Sequence, residues 1–544
     1  MPVSMRGADA LVAALRHAGV TKLFTLSGNH IMPVFDALFG SGIELIHVRQ
    51  EAAAVHMADA WARLTGEPGV ALVTGGQGHA NAVAALCTAQ AGEVPVVLLS
   101  GHAPLGELGL GAFQELRQAE MAAPLCKASF TAQSAAGLAE DLARAIRIAR
   151  SGRPGPVHLS LPTDVLEARV ATPDVPPHAG FQPVPVPLAP ETAAAARALL
   201  DGARRPLVIA PPSLCTPAGR RRLAALQQEL GVPVVAMESP RGINDPSLGA
   251  FAEVLARADR LLLLGKPLDF TLRFGRAPAV AADARWIVFE PEAALLERAM
   301  LGLGGLLALG ALADPISAAE ALCLAPGQAD AHAAWCAEVA SAIAYRPAAW
   351  DAPPAEGAPI GPIQLCRAIQ PFLAAQEDTV LVSDGGEIGQ WAQSLLSAPV
   401  RIINGVAGAI GPSIPFAMAA RAARPEARVL ALLGDGTCGF HMAEFDTAVR
   451  HDLPFVAVIG NDARWNAEHQ IQLREYGKER AHGCSLAPAT RYDLVAAALG
   501  GHGEFVTQAG ELAPALERAF ASGRPSCVNV LIEGRAAPVV KRAG

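Results

Sequence analysis

The chain has 544 residues, of which 51% are hydrophobic and 17% charged, with a net charge of −8. That length exceeds what one hydrophobic core supports and suits three domains of ordinary size. The acidic balance and the lack of any basic block argue against nucleic acid as a partner, and nine scattered cysteines without a Cys-x-x-Cys pair read as buried thiols in a reducing compartment. The opening Met1-Pro-Val-Ser-Met-Arg6 has no signal-peptide core, and the longest uncharged apolar stretch, 299–313, is too short to cross a bilayer. The expectation is a soluble, cytoplasmic protein with no membrane partner.

In chain order, Lys22-Leu-Phe-Thr-Leu26 predicts a strand and Ser27-Gly28-Asn29-His30 the loop after it. In His47-Val-Arg-Gln-Glu51 the glutamate is expected to end a short strand and open a helix whose apolar positions recur at helical spacing. By itself a Glu in a first turn is simply favourable toward the helix dipole. Val70-Ala-Leu-Val73 predicts another buried strand, followed by the glycine-rich turn Thr74-Gly75-Gly76-Gln77-Gly78-His79-Ala80-Asn81.

A proline-rich run over 172–187 breaks helix and strand alike and reads as an extended linker, and a second one covers 345–359. Between them four apolar strands, Pro206–Ala210, Val232–Ala236, Arg260–Gly265 and Arg285–Phe289, alternate with helical segments. The fold class is therefore α/β, with three doubly wound parallel-sheet domains at 1–171, 188–344 and 355–544. The first and third read as paralogous halves.

The last segment carries the most informative spacing. The apolar strand Arg428-Val-Leu-Ala-Leu-Leu433 ends in Gly434-Asp435-Gly436-Thr437, and Phe455-Val-Ala-Val-Ile-Gly460 ends in Asn461-Asp462, 27 residues beyond Asp435. The glycines allow a tight turn and close approach of a ligand at the strand's carboxyl end, where α/β sheets bind ligands. Two hard oxygen donors at adjacent strand ends suit Mg²⁺ holding a diphosphate. On the following helix Ala467, Glu468 and Ile471 share one face and could border a substrate, while Trp465 reads as a core anchor.

This constellation resembles the thiamine-diphosphate (ThDP) enzymes, in which Gly-Asp-Gly is followed some two dozen residues later by Asn-Asn. Here the second Asn is replaced by Asp462, which keeps an oxygen donor and adds a charge. The resemblance implies thiamine diphosphate and Mg²⁺ as cofactors, with Asp435, Asp462 and the main-chain carbonyl of Arg464 as metal ligands. It implies that Glu51 is the catalytic glutamate, sharing a proton with the cofactor's pyrimidine nitrogen, and that Gly75 and Asn81 line the pyrimidine pocket. Ala112-Phe-Gln-Glu115 matches the acetolactate synthases and puts Gln114 against the reacting centre, and Asp384-Gly385-Gly386-Glu387 resembles the loop opening the diphosphate domain. Ile410, in Gly408-Ala-Ile-Gly-Pro412, stands where relatives place an apolar wedge under the cofactor. Asn29 and His30 fall on a site-facing loop in the family, with His79 as a companion at the substrate pocket.

The order of landmarks is similar to the acetolactate synthase, benzaldehyde lyase and 2-hydroxyacyl-CoA lyase branch. It implies a carboligase or lyase acting on small carbonyl substrates: 2-keto acids, aldehydes or 2-hydroxyacyl compounds. Leu264–Gly275 looks like the middle-domain loop of the acyl-CoA enzymes, so Arg273, Arg276, Lys541 and Arg542 become candidates for the phosphates of an acyl-CoA. A simple 2-keto-acid decarboxylase remains an alternative. No flavin signature stands out between Pro206 and Ala313, so FAD is not expected. The family's sites lie at subunit interfaces, so a homodimer or homotetramer is implied.

Overall fold

The structure, a computed structural model, describes residues 4–171, 175–328, 331–353, 355 and 357–542. Thr172, Pro173 and Asp174 of the first proline-rich run and Pro354 and Glu356 of the second lie outside the described residues.

Three parallel sheets form the frame. The first has six strands, among them Lys22–Thr25, Glu44–His47, Gly69–Val73 and Val96–His102, and the last has six, among them Thr379–Ser383, Val400–Ile403, Arg428–Gly434 and Val456–Asn461. Numbered in chain order within each sheet, both run 2-1-3-4-6-5, the repeat expected of paralogous halves, and the central five-stranded sheet runs 2-1-3-4-5. Every pairing inside the three sheets is parallel. Residues such as Val70, Leu72, Leu430 and Val458 are wholly buried, because helices cover both faces and leave no polar side for alternation.

In both outer sheets the order reverses between strands 1 and 3, which opens a crevice at their carboxyl ends, the place where such sheets take ligands. Thr74–Gly76 stands at that edge in the first sheet. Asp384–Gly385 and Asp435 stand there in the last.

The two outer sheets share one core. The helix Glu51–Thr65 packs on the helix Ser413–Ala423 of the last sheet, and Ala53, Ala54 and Ala58 join Ala417, Ala419 and Ala420 in a single buried cluster. Small side chains let these helix backbones approach closely, so the shared core is a helix-helix interface. The first proline-rich run departs from a free linker: Phe181 is fully buried against the first sheet's core, and Arg147 Nη1 donates to the Gly180 carbonyl at 2.5 Å. Burying one Phe contributes about 1.5–3 kcal/mol toward holding its segment on the sheet.

Candidate active site

A cavity of about 300 Å³ opens at the carboxyl edge of the last sheet. Gly385, Gly386, Ile410, Gly434, Asp435, Gly436, Thr437, Asp462, Arg464, Ala467 and Glu468 all line it, so most of the sequence-selected residues of this half meet in one place. Its central polar residues reach it from strand ends. Asp435 follows Arg428–Gly434, Gly385 follows Thr379–Ser383, and Asp462 follows Val456–Asn461.

The glycines are there for proximity. A Cβ on Gly385, whose φ is +85°, would meet Thr437 Oγ1 at 2.4 Å, and one on Gly436 would meet the Trp465 ring at 2.6 Å. Trp465, expected as a core anchor, instead walls the cavity, edge-on to Phe440. Its position is set by Gly436, whose bare backbone leaves room for the ring.

Two carboxylates face this space. Burial pushes the Asp435 carboxyl up to about 6, against N–H donors from Gly436, Ala463 and Arg464 that pull it down. Burial and then the neighbouring Asp435 charge push Asp462 up to about 7. Asp435 Oδ2 is buried with no hydrogen-bond partner among the described residues. Two adjacent carboxylates, each disfavoured as a bare anion and one with an orphaned oxygen, are the donor set that a hard divalent cation satisfies. Among the described residues no group of three or more His, Cys, Asp or Glu could hold a metal, so a cation here relies on main-chain and ligand oxygens for the rest of its shell.

Ile410 sits on a turn pinned from two sides. Asp384 Oδ2 accepts from Gly411 N–H at 2.9 Å and Ser413 N–H at 3.2 Å, and the His441 ring meets the Gly411 carbonyl at 2.8 Å through Nδ1. Asp384 is 1% exposed, and burial pushes its carboxyl up to about 7 despite those donors. Neither anchor was singled out from the sequence for this task. Arg241 was also missed: it comes from the central sheet's side, lines the cavity, and its Nη2 pairs with the buried Glu387 Oε2 at 3.0 Å.

The N-terminal candidates form a second cluster at the crevice of the first sheet. Asn81 Nδ2 donates to Glu51 Oε2 at 3.0 Å, and Gln77 Nε2 donates to Asn81 Oδ1 at 3.2 Å. A Cβ on Gly78 would sit 3.3 Å from Glu51 Oε1, and one on Gly75 2.7 Å from the Gly101 carbonyl. His30 is buried between Thr74 Oγ1 at 3.3 Å and the Phe113 carbonyl at 3.2 Å, stacked on the Phe113 ring, and desolvation lowers its pKa. Gln114 adjoins it with φ at +56°, its carbonyl 2.6 Å from where a Gly76 Cβ would lie. Asn29 begins the short helix 29–31 and is exposed. Gln118, not marked by the sequence, holds this turn by accepting from Gly76 N–H at 2.8 Å.

Two substrate-pocket candidates lie elsewhere. His79 is fully buried, its Nδ1 on Ser100 Oγ at 2.9 Å and its ring against His158, and burial brings its pKa down to about 4. Ile471 is 44% exposed and does not line the cavity, since the helix carries it one turn past Ala467 and out of the crevice. The cavity also has no wall from the N-terminal half: its lining runs from Pro240 to Glu468, and the Glu51 cluster is not part of it.

The family model described as "Thiamine pyrophosphate enzyme, N-terminal TPP binding domain" matches residues 5–121, and "Thiamine pyrophosphate enzyme, C-terminal TPP binding domain" matches 384–530. The chain is 34% identical to the acetolactate synthase large subunit IlvG of Mycobacterium tuberculosis (strain ATCC 25618 / H37Rv), over 98% of this chain and 97% of that protein. It is 30% identical to 2-hydroxyacyl-CoA lyase 2 of Homo sapiens over 97% of this chain and 90% of that one. It is 29% identical to the acetolactate synthase large subunit of Parasynechococcus marenigrum (strain WH8102) over 97% and 88%.

Proposed function

Since the chain belongs to the thiamine pyrophosphate enzyme family, we propose that it is a Mg²⁺-dependent carboligase or lyase, acetolactate-synthase-like, that makes or breaks a C–C bond beside a small substrate's carbonyl. The observation that supports this best is the pair Asp435 and Asp462 beside the glycine cradle of Gly385, Gly386, Gly434 and Gly436 in one cavity. Thiamine diphosphate, when bound, supplies a nucleophilic carbon that adds to a carbonyl and takes up the electron pair of the adjacent C–C bond.

In this reading Asp435, Asp462 and the Arg464 carbonyl hold Mg²⁺ against the diphosphate, and Thr437 donates to it. Ile410, fixed by Asp384 and His441, props the middle of the cofactor. Glu51, held by Asn81, would share a proton with the pyrimidine nitrogen, with Gly75 giving the backbone room. His30, Asn29 and Gln114 face the reacting carbon, where a buried neutral imidazole can accept or return a proton. Ala467 and Glu468 border the substrate.

In this reading Glu51 comes from a second copy of the chain, which the absence of an N-terminal wall in the cavity holding Asp435 supports. The loop bearing Gln114 supports this: Leu110 is 79% and Phe113 68% exposed, an apolar surface suited to burial against another subunit. A homodimer with two sites is the smallest active unit, and a homotetramer is built from two of them.

A 2-hydroxyacyl-CoA lyase is a second reading, favoured by an adjoining cavity of about 840 Å³ lined by Arg241, Arg273, Arg276 and Lys541. It shares Pro240, Arg241 and Gln390 with the first cavity, so a ligand with its phosphates there could extend its acyl end to the reacting centre. Arg542, the fourth basic candidate, is not on that wall; its main-chain N–H donates to Glu253 Oε1 at 2.8 Å.

Product analysis by mass spectrometry, with pyruvate, benzaldehyde, and formaldehyde plus formyl-CoA offered in parallel, separates the readings. Acetolactate or a benzoin supports the carboligase, a 2-hydroxyacyl-CoA supports the lyase, and acetaldehyde alone supports a decarboxylase. If the CoA reading holds, the double variant R273A/R276A should raise KM for the acyl-CoA by about a hundredfold or more, since it removes two charge-assisted phosphate contacts worth about 1.5–3 kcal/mol each. Its KM for a free aldehyde should stay unchanged. Equal effects on both substrates would show that these arginines do not read the phosphates.

A further inference from the structure

The segment that presents Glu51 is gripped by the opposite half of the same chain. Between the strand Glu44–His47 and the helix Glu51–Thr65 runs a three-residue connector, Val48-Arg49-Gln50. Val48 N–H bonds within its own sheet, to the Thr25 carbonyl at 2.9 Å, and the Gln50 side chain caps the new helix through Ala52 N–H at 2.7 Å. Arg49 N–H has no acceptor in its own domain. It donates instead to both oxygens of Glu444, at 3.0 and 3.2 Å.

Glu444 is 1% exposed and opens the short helix Glu444–Arg450, nine residues past Asp435. Thr447 Oγ1 donates to its Oε2 at 2.6 Å and fixes its rotamer. The same helix holds the connector's other end. Arg450 Nη2 donates to the His47 carbonyl at 2.7 Å, and His451 Nε2 accepts from His47 N–H at 3.0 Å. A buried carboxylate that takes the Arg49 N–H on both its oxygens fixes the backbone two residues before Glu51.

We infer that Glu444 is a positioning residue for Glu51: it sets the backbone at Arg49, two residues upstream, from which the Glu51 carboxyl is aimed at the cofactor's pyrimidine ring. This rests on the role proposed above for Glu51. The demand for such a clamp is physical, since proton-sharing groups must be held to within about 0.5 Å and 10–20° of their working geometry by supporting contacts. The N-cap contact of Gln50 alone leaves the connector free to rotate about Arg49.

The test uses the full-length enzyme with thiamine diphosphate and Mg²⁺, and reads deuterium exchange at the cofactor's C2 by acid quench and NMR, alongside cofactor affinity by calorimetry. Glu444→Ala should leave the affinity within about threefold of wild type, but slow C2 exchange by about 10- to 100-fold, the scale of a small misplacement of a catalytic group. Glu444→Gln keeps one acceptor oxygen, should recover most of the rate, and serves where the alanine variant fails to fold. The combined E51Q/E444A variant should exchange no more slowly than E51Q, because a group that acts only through Glu51 has nothing left to act on. Wild-type exchange in E444A and E444Q, or multiplied losses in the double variant, would overturn the inference. Wild-type exchange in E51Q would instead remove the role of Glu51, so the two failures are distinguishable.

Discussion

Glu51→Gln should leave thiamine diphosphate bound and cut turnover by roughly 10²- to 10⁴-fold, the usual worth of a positioned general acid-base group. The substitution keeps size and a hydrogen-bonding oxygen, so the contact from Asn81 Nδ2, 3.0 Å in the wild type, has a partner to keep. What it removes is the ability to share a proton with the pyrimidine nitrogen. Deuterium exchange at C2 of the bound cofactor measures that step whatever the natural substrate is. If E51Q exchanges C2 as fast as wild type, Glu51 is not the activating acid, and its place at the first turn of Glu51–Thr65 reflects the helix dipole alone.

The second large effect is expected at the metal clamp. Asp435→Ala removes one of two side-chain donors to a hard cation, so Mg²⁺-dependent cofactor affinity should fall by roughly a hundredfold or more, given that even indirect supports of a metal site are worth about 10–100-fold. Thermal unfolding gives an independent reading. Cofactor at a hundred times its Kd should stabilise the wild type by about 2.7 kcal/mol, a gain that D435A should not show at the same concentration. The sign of the metal-free effect is opposite. Burial pushes the Asp435 carboxyl up, and its charge in turn pushes Asp462 up, so removing Asp435 should relieve both costs and leave the unliganded variant no less stable. Asp462→Asn should retain most of the affinity, because the amide oxygen still coordinates and the charge facing the diphosphate is gone. Undiminished affinity in D435A, measured by calorimetry, would dissolve the assignment of this cavity as the cofactor's.

Local signals carried much of this protein. Apolar runs closed by Gly-Asp-Gly or Asn-Asp announce a buried strand and a ligand turn within a dozen residues, and the strand Arg428–Gly434 ends on Asp435 as read. Glu51 begins its helix at the residue expected, because the cap and the apolar periodicity are neighbours in sequence. The doubly wound class was legible for the same reason: each strand-helix unit is contiguous, and burial on both faces writes itself as an unbroken apolar run.

Contacts made across the fold left no such mark. Trp465 looked like core, and the ring packs on Gly436 and walls the cavity because of a backbone gap 29 positions away. His79 followed a promising glycine turn, yet the helix Gln77–Ala91 rotates it inward onto Ser100, since one residue's difference in phase turns a helical side chain by about 100°. Asp384 and His441 pin Ile410, Arg241 reaches Glu387, and Glu444 clamps the approach to Glu51, all through partners separated by 27 to 395 residues. Sequence alone determined which residues could hold a diphosphate and a metal, because those groups sit at the ends of single strands. Which residues aim them, and that Glu51 and Asp435 of one chain line different crevices, was decided only by the packing of one half on the other, where burial makes each unpaired polar group costly enough to demand a partner from anywhere in the fold.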